Sequence, residues 1–120
     1  MVAAMTRAGV KILAGTDLPV GDGVPALYDE LALLVQAGLS PMQALQAATR
    51  SPAEFMGRLS DIGTIERGKI ADLVLLDANP LLDIRNARRV DTVILGRQIW
   101  RFRGPIRRNA AISFNEADLR

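Results

Sequence analysis

Near the start of the chain, the fold is decided by one stretch: Gly9-Val10-Lys11-Ile12-Leu13-Ala14-Gly15-Thr16-Asp17. Val10–Leu13 is apolar apart from one lysine, which predicts a short buried strand. Gly15 breaks this pattern, so Asp17 follows at the carboxyl end of the strand. In parallel α/β proteins the loops at that end carry the chemistry. Asp17 is therefore a candidate functional carboxylate, although an aspartate at a strand end also commonly begins a turn.

Composition restricts the class of protein. The chain has 120 residues, of which 49% are hydrophobic and 23% charged, as in one soluble globular domain and unlike a disordered chain. It contains no cysteine, which excludes disulfides and thiolate metal sites and agrees with a reducing compartment, so we expect a cytoplasmic protein. It contains no histidine, so the commonest general base and the commonest metal-binding side chain are both absent.

Charge and hydropathy favour neither a membrane nor a nucleic acid as a partner. No window approaches the roughly 18 to 20 apolar residues of a membrane span, and the first residues lack the pattern of a signal peptide. The net charge is only +2. The basic stretch 101–108 has one aromatic residue and precedes Glu116 and Asp118, which favours a solvated tail over a nucleic-acid-binding one.

The middle of the chain has a loop followed by helical patterns. Residues 18–25 hold two prolines and two glycines, which predicts a loop. This loop either covers a site or simply connects the predicted strand to the helix that follows. Residues 26–37 carry leucines at helical spacing, which predicts an amphipathic helix. We expect Asp29 and Glu30 in its first turn, where the helix dipole stabilises them, rather than as a catalytic carboxylate pair.

Two further helix starts share one capping pattern. Ser40-Pro41-Met42-Gln43 predicts a serine N-cap, a proline in the first turn and a glutamine that closes a capping box. Ser51-Pro52-Ala53-Glu54 predicts the same arrangement for a short helix that runs to about Met56.

The pattern changes from helices to strands after residue 62. Residues 72–77 hold four consecutive apolar residues between two aspartates, which predicts a buried strand. A helical turn is expected over residues 81–87. Gly96-Arg97 separates two apolar runs, and glycine at the first position of a two-residue loop predicts a type II′ hairpin. Such a unit of about three strands has unpaired edges and would be marginal by itself.

Several short signatures occur in order and at one family's spacing over roughly residues 1–100. They are Gly15-Thr16-Asp17, Asp29-Glu30-Leu31, Leu34-Val35-Gln36-Ala37-Gly38-Leu39-Ser40-Pro41, Ala44-Leu45-Gln46-Ala47-Ala48-Thr49 and Gly63-Thr64-Ile65-Glu66-Arg67-Gly68-Lys69-Ile70-Ala71-Asp72-Leu73-Val74-Leu75-Leu76-Asp77. Together they resemble the C-terminal third of the metal-dependent amidohydrolase superfamily, in particular its imidazolonepropionase-like and Xaa-Pro dipeptidase-like branch. Several unlinked motifs in order are more specific than any one of them.

The resemblance implies an α/β fold, namely the C-terminal fragment of a (β/α)₈ TIM barrel together with the C-terminal half of a small β-sandwich domain. Residues 1–61 would hold the last barrel strand, Val10–Ala14, and the final helices. Residues 62–102 would be the C-terminal part of the composite sandwich, and residues 103–120 a tail.

The resemblance also implies an activity, the hydrolysis of a C–N bond in a small amide, cyclic amide or dipeptide. The nucleophile would be a water activated by a divalent metal, usually zinc, because a dication lowers the pKa of bound water to about 7. Asp17 would be both a metal ligand and the catalytic carboxylate that passes the proton from this water to the leaving group. The substrate-binding residues stay unknown, since Tyr28 stands near the place where some relatives carry a histidine.

The chain departs from the family in what it lacks. The histidines that hold the metal are absent, and a TIM barrel takes about 250 residues. Most zinc sites need three protein ligands plus water, so we expect a fragment that binds no metal by itself and is catalytically incomplete. The alternative is a non-catalytic interaction module, or pseudo-enzyme fragment, that pairs with another chain or with itself through exposed strand edges.

Overall fold

The computed structural model of the chain describes residues 1–17 and 23–101. In this part, helices come first and a small sheet follows: α1 (Val2–Arg7), α2 (Gly23–Gln36), α3 (Pro41–Ala48), α4 (Arg50–Phe55), β1 (Asp72–Leu76), a 3₁₀ helix (Ile84–Arg88), β2 (Val90–Leu95) and β3 (Gln98–Arg101). The predicted tail at 103–120 and most of the predicted loop at 18–25 lie outside the described residues. None of the described helices is long and apolar enough to cross a membrane.

The core lies between α2 and α3 and is closed by the 3₁₀ helix. Leu31 and Leu34 of α2 are buried, as the leucine spacing predicted. Two alanines of α3, Ala44 and Ala47, are also buried, and their small side chains let the two helices approach closely. Ile84 of the 3₁₀ helix completes this cluster, so the sheet unit shares one core with the helices.

Helix α2 begins earlier than the sequence indicated. Because it starts at Gly23, Asp29 and Glu30 lie in its second turn, and their predicted place in the first turn was wrong. Asp29 instead accepts a hydrogen bond from the guanidinium of Arg88 at the end of the 3₁₀ helix. This guanidinium also lies 5.7 Å from the centre of the Tyr28 ring, so Arg88 ties the sheet unit to α2.

One of the two predicted caps is present. The backbone N–H of Gln43 donates to the Ser40 hydroxyl at 3.2 Å, and the N–H of Ser40 donates to the Gln43 side chain at 2.8 Å, which confirms the capping box. The second cap, predicted at Ser51, was wrong, because α4 already begins at Arg50. The residue before it, Thr49, makes no cap, since its hydroxyl donates to a carbonyl four residues earlier.

The stretch that leads to Asp17 belongs to neither a helix nor a strand. The predicted buried strand at Val10–Leu13 was wrong, because Val10 is 45% exposed and Leu13 42% exposed. A parallel strand forms only beside a neighbouring strand that pairs its backbone groups, and the described residues place none there. Ile12 and Ala14 nevertheless pack against the helical core, and the Ala14 N–H donates to the Ala47 carbonyl at 2.9 Å.

The sheet is antiparallel in the order β1-β2-β3. Leu95 pairs with Gln98, which leaves the predicted two-residue loop between β2 and β3. Gly96 has a φ of +60°, the sign that a type II′ turn requires at this position. The strand predicted at 72–77 is present, but its burial is not, because Val74 and Leu75 are exposed. Among the described residues of the sheet only Val90 and Thr92 are buried, so most of the sheet stays open.

Lys69 fixes the loop between α4 and β1. Its side chain is only 10% exposed. Its ammonium donates to the Leu59 carbonyl at 2.6 Å, to the Glu66 carboxylate at 3.2 Å and to the Thr64 hydroxyl. All three ammonium protons of Lys69 are thus hydrogen-bonded, and these bonds hold the turn-rich segment in place against α4.

We predict that Gly63→Ala destabilises the protein more than Gly57→Ala. Both glycines have a positive φ, which costs a non-glycine residue about 1–2 kcal/mol. A Cβ at Gly63 would also lie 2.5 Å from the Cβ of Ala53, whereas nothing lies within 4 Å at Gly57. Overpacking of this kind costs about 1–3 kcal/mol more, which urea denaturation of the two variants measures. Equal losses would show that the loop does not pack on α4 at Gly63.

A second prediction concerns Glu66. The Thr64 hydroxyl donates to its carboxylate at 2.6 Å, and this bond, followed by Lys69, holds the pKa of Glu66 below its ordinary value of 4.5. The stabilisation is therefore complete above pH 4.5 and is lost as the pH falls through the lower pKa of the folded state. Thr64→Val is expected to raise the pKa of Glu66, as followed by NMR titration of its side-chain carboxyl. Thr6→Val removes a hydroxyl that donates elsewhere, to the Val2 carbonyl, and should leave this pKa unchanged.

Candidate functional site

Asp17 has an unusual backbone conformation. Its φ is +52°, and no other non-glycine residue in the described part of the chain has a positive φ. Aspartate enters this left-handed region more readily than most residues, but still at a cost. Such strain persists only where the surrounding structure holds it, and it is concentrated at functional sites. Aspartate also adopts this conformation in ordinary turns, so the conformation is compatible both with a functional carboxylate and with a plain turn residue.

Two contacts hold the segment before Asp17 on the helices. One is the bond from the Ala14 N–H to the Ala47 carbonyl at 2.9 Å. The other is an ion pair in which Lys11 donates to Glu54 of α4 at 2.5 Å. The hydrogen bond from Lys11, more than its charge, lowers the pKa of Glu54. This pair was not predicted, since two residues 43 positions apart leave no local pattern in a sequence.

The residues around Asp17 do not complete a metal site. Among the residues that the structure describes, no three acidic, histidine or cysteine side chains are grouped so as to hold a metal ion. Aspartate oxygen is a suitable ligand for zinc, but a catalytic zinc site takes three protein ligands. The described residues therefore fit one ligand of such a site and not the whole of it.

The other candidate residues have structural roles. Asp29 accepts a hydrogen bond from Arg88 and so holds two elements together. Tyr28 packs against the core with its ring beside the same guanidinium. Burial raises the pKa of the Tyr28 hydroxyl, and the charge of Arg88 opposes this only in part. The phenol is therefore protonated at neutral pH.

The family model described as the Amidohydrolase family matches residues 1–100, so the chain belongs to the amidohydrolase family. The imidazolonepropionase of Shouchella clausii (strain KSM-K16) is 37% identical over an alignment 98 residues long, gaps included, that covers 76% of this chain and 22% of that protein. The N-substituted formamide deformylase of Arthrobacter pascens is 34% identical over an alignment 90 residues long, gaps included, that covers 67% of this chain and 17% of that protein.

Solved structures agree with this assignment. A proposed prolidase from Bifidobacterium longum is 38% identical with a TM-score of 0.76, and the match covers 88% of this chain and 26% of that one. A Xaa-Pro dipeptidase with methionine bound in its active site is 32% identical with a TM-score of 0.73, over 84% of this chain and 25% of the other. The chain thus spans about a sixth to a quarter of the length of these relatives.

We predict that Asp17→Gly stabilises the chain. Glycine adopts a positive φ without strain, so the free energy of unfolding in urea should rise by about 0.5–1 kcal/mol. Asp17→Ala, which keeps a Cβ and enters the left-handed region less readily than aspartate does, should lower it. The matched control is Asp77→Gly, at an exposed aspartate without a positive φ, and this change should be destabilising. If both glycine variants lose stability equally, Asp17 does not have the left-handed conformation in solution.

Proposed function

We propose that this chain is the C-terminal portion of a metal-dependent amidohydrolase that hydrolyses C–N bonds in small amide or peptide-like substrates. We further propose that Asp17 is both a metal ligand and the catalytic carboxylate of that enzyme. The observation that carries the proposal is the match of the amidohydrolase family model to residues 1–100, a region that contains Asp17 and the hydrogen bond that anchors Ala14 before it.

The proposal assigns a place in the fold to each part of the chain. Residues 1–61 would be the end of a TIM barrel, with Val10–Ala14 as its last strand. The absence of strand pairing there is what a barrel strand without its neighbours should show. Residues 62–102 would be half of a β-sandwich. The exposed apolar side chains of Val74 and Leu95, which the strand pairing places on one face of the sheet, support this, because a second sheet would cover them.

The proposal also limits what the chain does by itself. A divalent metal, zinc in our proposal, supplies a water activated at neutral pH when it is bound. This chain contributes the Asp17 carboxylate, which binds the metal and holds and passes a proton. The other ligands would come from polypeptide outside residues 1–120, because this sequence has no histidine or cysteine and its described acidic residues form no cluster of three that could hold a metal ion. The purified chain should therefore bind zinc no more tightly than about millimolar, a weak affinity.

A chimera tests the proposal. The part of the Bifidobacterium longum prolidase that matches this chain, 26% of its length, is replaced by residues 1–101. We expect a folded chimera that retains its metal after dialysis and hydrolyses an Xaa-Pro dipeptide. Asp17→Asn should remove metal and lower kcat by about 100-fold or more, the range for loss of a proton-transferring group.

The control in the same chimera is Asp77→Asn, an exposed carboxylate after β1, which should leave both metal content and kcat unchanged. Circular dichroism establishes that each variant is folded. A folded chimera whose activity and metal content are indifferent to Asp17→Asn would contradict the role of this residue. A folded chimera that holds no metal and has no activity would favour the second candidate, a non-catalytic module, for which the exposed Leu13 and Phe55 beside the Lys11–Glu54 pair provide an apolar contact surface.

A further inference from the structure

A basic cleft lies between the beginning of α4 and the loop that Lys69 holds, away from any role assigned above. Its volume is about 600 Å³. Its charged lining consists of three cations, Arg50, Arg67 and Lys69, and one carboxylate, Glu66. The cleft thus has an excess of positive charge, although the chain as a whole is nearly neutral at +2.

Two of these four charges neutralise each other. Lys69 donates to Glu66, and its remaining protons go to the Leu59 carbonyl and the Thr64 hydroxyl. The Thr64 hydroxyl in turn donates to Glu66. This network forms the floor of the cleft and leaves the two arginines as the source of its net charge.

Arg50 and Arg67 have no such bonded partners, although the charge of Arg50 contributes to lowering the pKa of Glu54 and of Glu66. Within residues 1–17 and 23–101, neither guanidinium takes part in an ion pair or a side-chain hydrogen bond. A guanidinium offers five N–H donors in a planar fork that matches the oxygens of a phosphate. Two of them facing one cleft leave a donor set that solvent alone satisfies.

The wall that carries Arg67 is held in place before any ligand arrives. Gly63 lies so close to α4 that a Cβ there would be 2.5 Å from the Cβ of Ala53 and 3.3 Å from the Cα of Arg50. The Ile70 N–H donates to the Asp61 carbonyl at 2.8 Å and closes the other end of the loop. Such preorganisation reduces the ordering cost of binding.

We propose that this cleft binds the phosphate group of a small molecule, with Arg50 and Arg67 as its ligands. A phosphate monoester suits the charge of the two guanidiniums, and the cleft is larger than one phosphate ion, which leaves room for an organic part. This site is independent of Asp17 and of the proposed C–N hydrolysis, so either proposal stands if the other fails.

The test is a titration of the full 120-residue chain with inorganic phosphate at pH 7, followed by ¹H–¹⁵N NMR at ionic strength kept constant with sodium chloride. We expect saturable shifts of the amides of residues 64–69, with a Kd on the order of 1 mM. Arg50→Gln and Arg67→Gln should each weaken binding at least about fivefold. Arg97→Gln, at an exposed arginine of the β2–β3 turn, is the matched control and should not change the Kd.

A second arm replaces inorganic phosphate with glycerol phosphate. Tighter binding of the monoester would support a phosphorylated small molecule as the ligand, whereas equal binding would support free phosphate at the same two arginines. Arg50 and Arg67 are both exposed, so their substitution should leave the core intact. Amide signals of the α2–α3 core at the same positions in the variants and in the parent chain establish that the variants are folded. The proposal is overturned if residues 64–69 show no saturable shifts, or if both arginine variants bind phosphate as tightly as the parent chain does.

Discussion

The hydrogen bond from the Ala14 N–H to the Ala47 carbonyl is the contact on which the candidate site depends. Among the described residues it is the one backbone bond that joins residues 11–17 to the rest of the chain. Ala14 lies three residues before Asp17, so this bond determines where the carboxylate is presented. The acceptor is well placed because Ala47 is buried in the core and cannot shift without opening the contact between α2 and α3.

The packing of the core therefore also determines the position of the candidate site. The Ser40 capping box fixes the start of α3, the small side chains of Ala44 and Ala47 let α3 approach α2, and the approach positions the carbonyl that holds Ala14. The described chain corresponds to about a quarter of the solved relatives, and the segment before Asp17 leaves Val10 and Leu13 exposed.

Local features were predictable from the sequence, and long-range ones were not. The Ser40 cap and the Gly96-Arg97 hairpin each depend on only four neighbouring residues. The spacing of the leucines in α2 likewise predicts which face of the helix is buried. The contacts of Asp29 with Arg88 and of Lys11 with Glu54 join residues 59 and 43 positions apart, for which the sequence holds no periodic signal. The prediction of a strand at Val10–Leu13 was wrong for a related reason, because a strand forms only beside a neighbouring strand, and residues 10–13 do not specify that partner.

Hydrogen exchange at the Ala14 amide tests most directly whether Asp17 is held where the structure places it. Relative to their intrinsic rates, the Ala14 amide should exchange at least about ten times more slowly than those of Leu13 and Gly15, since only it has a backbone acceptor. The same amide should lose protection when Ser40→Ala loosens the start of α3. An Ala14 amide that exchanges as fast as its two neighbours would contradict the account, because the segment carrying Asp17 would then be unattached.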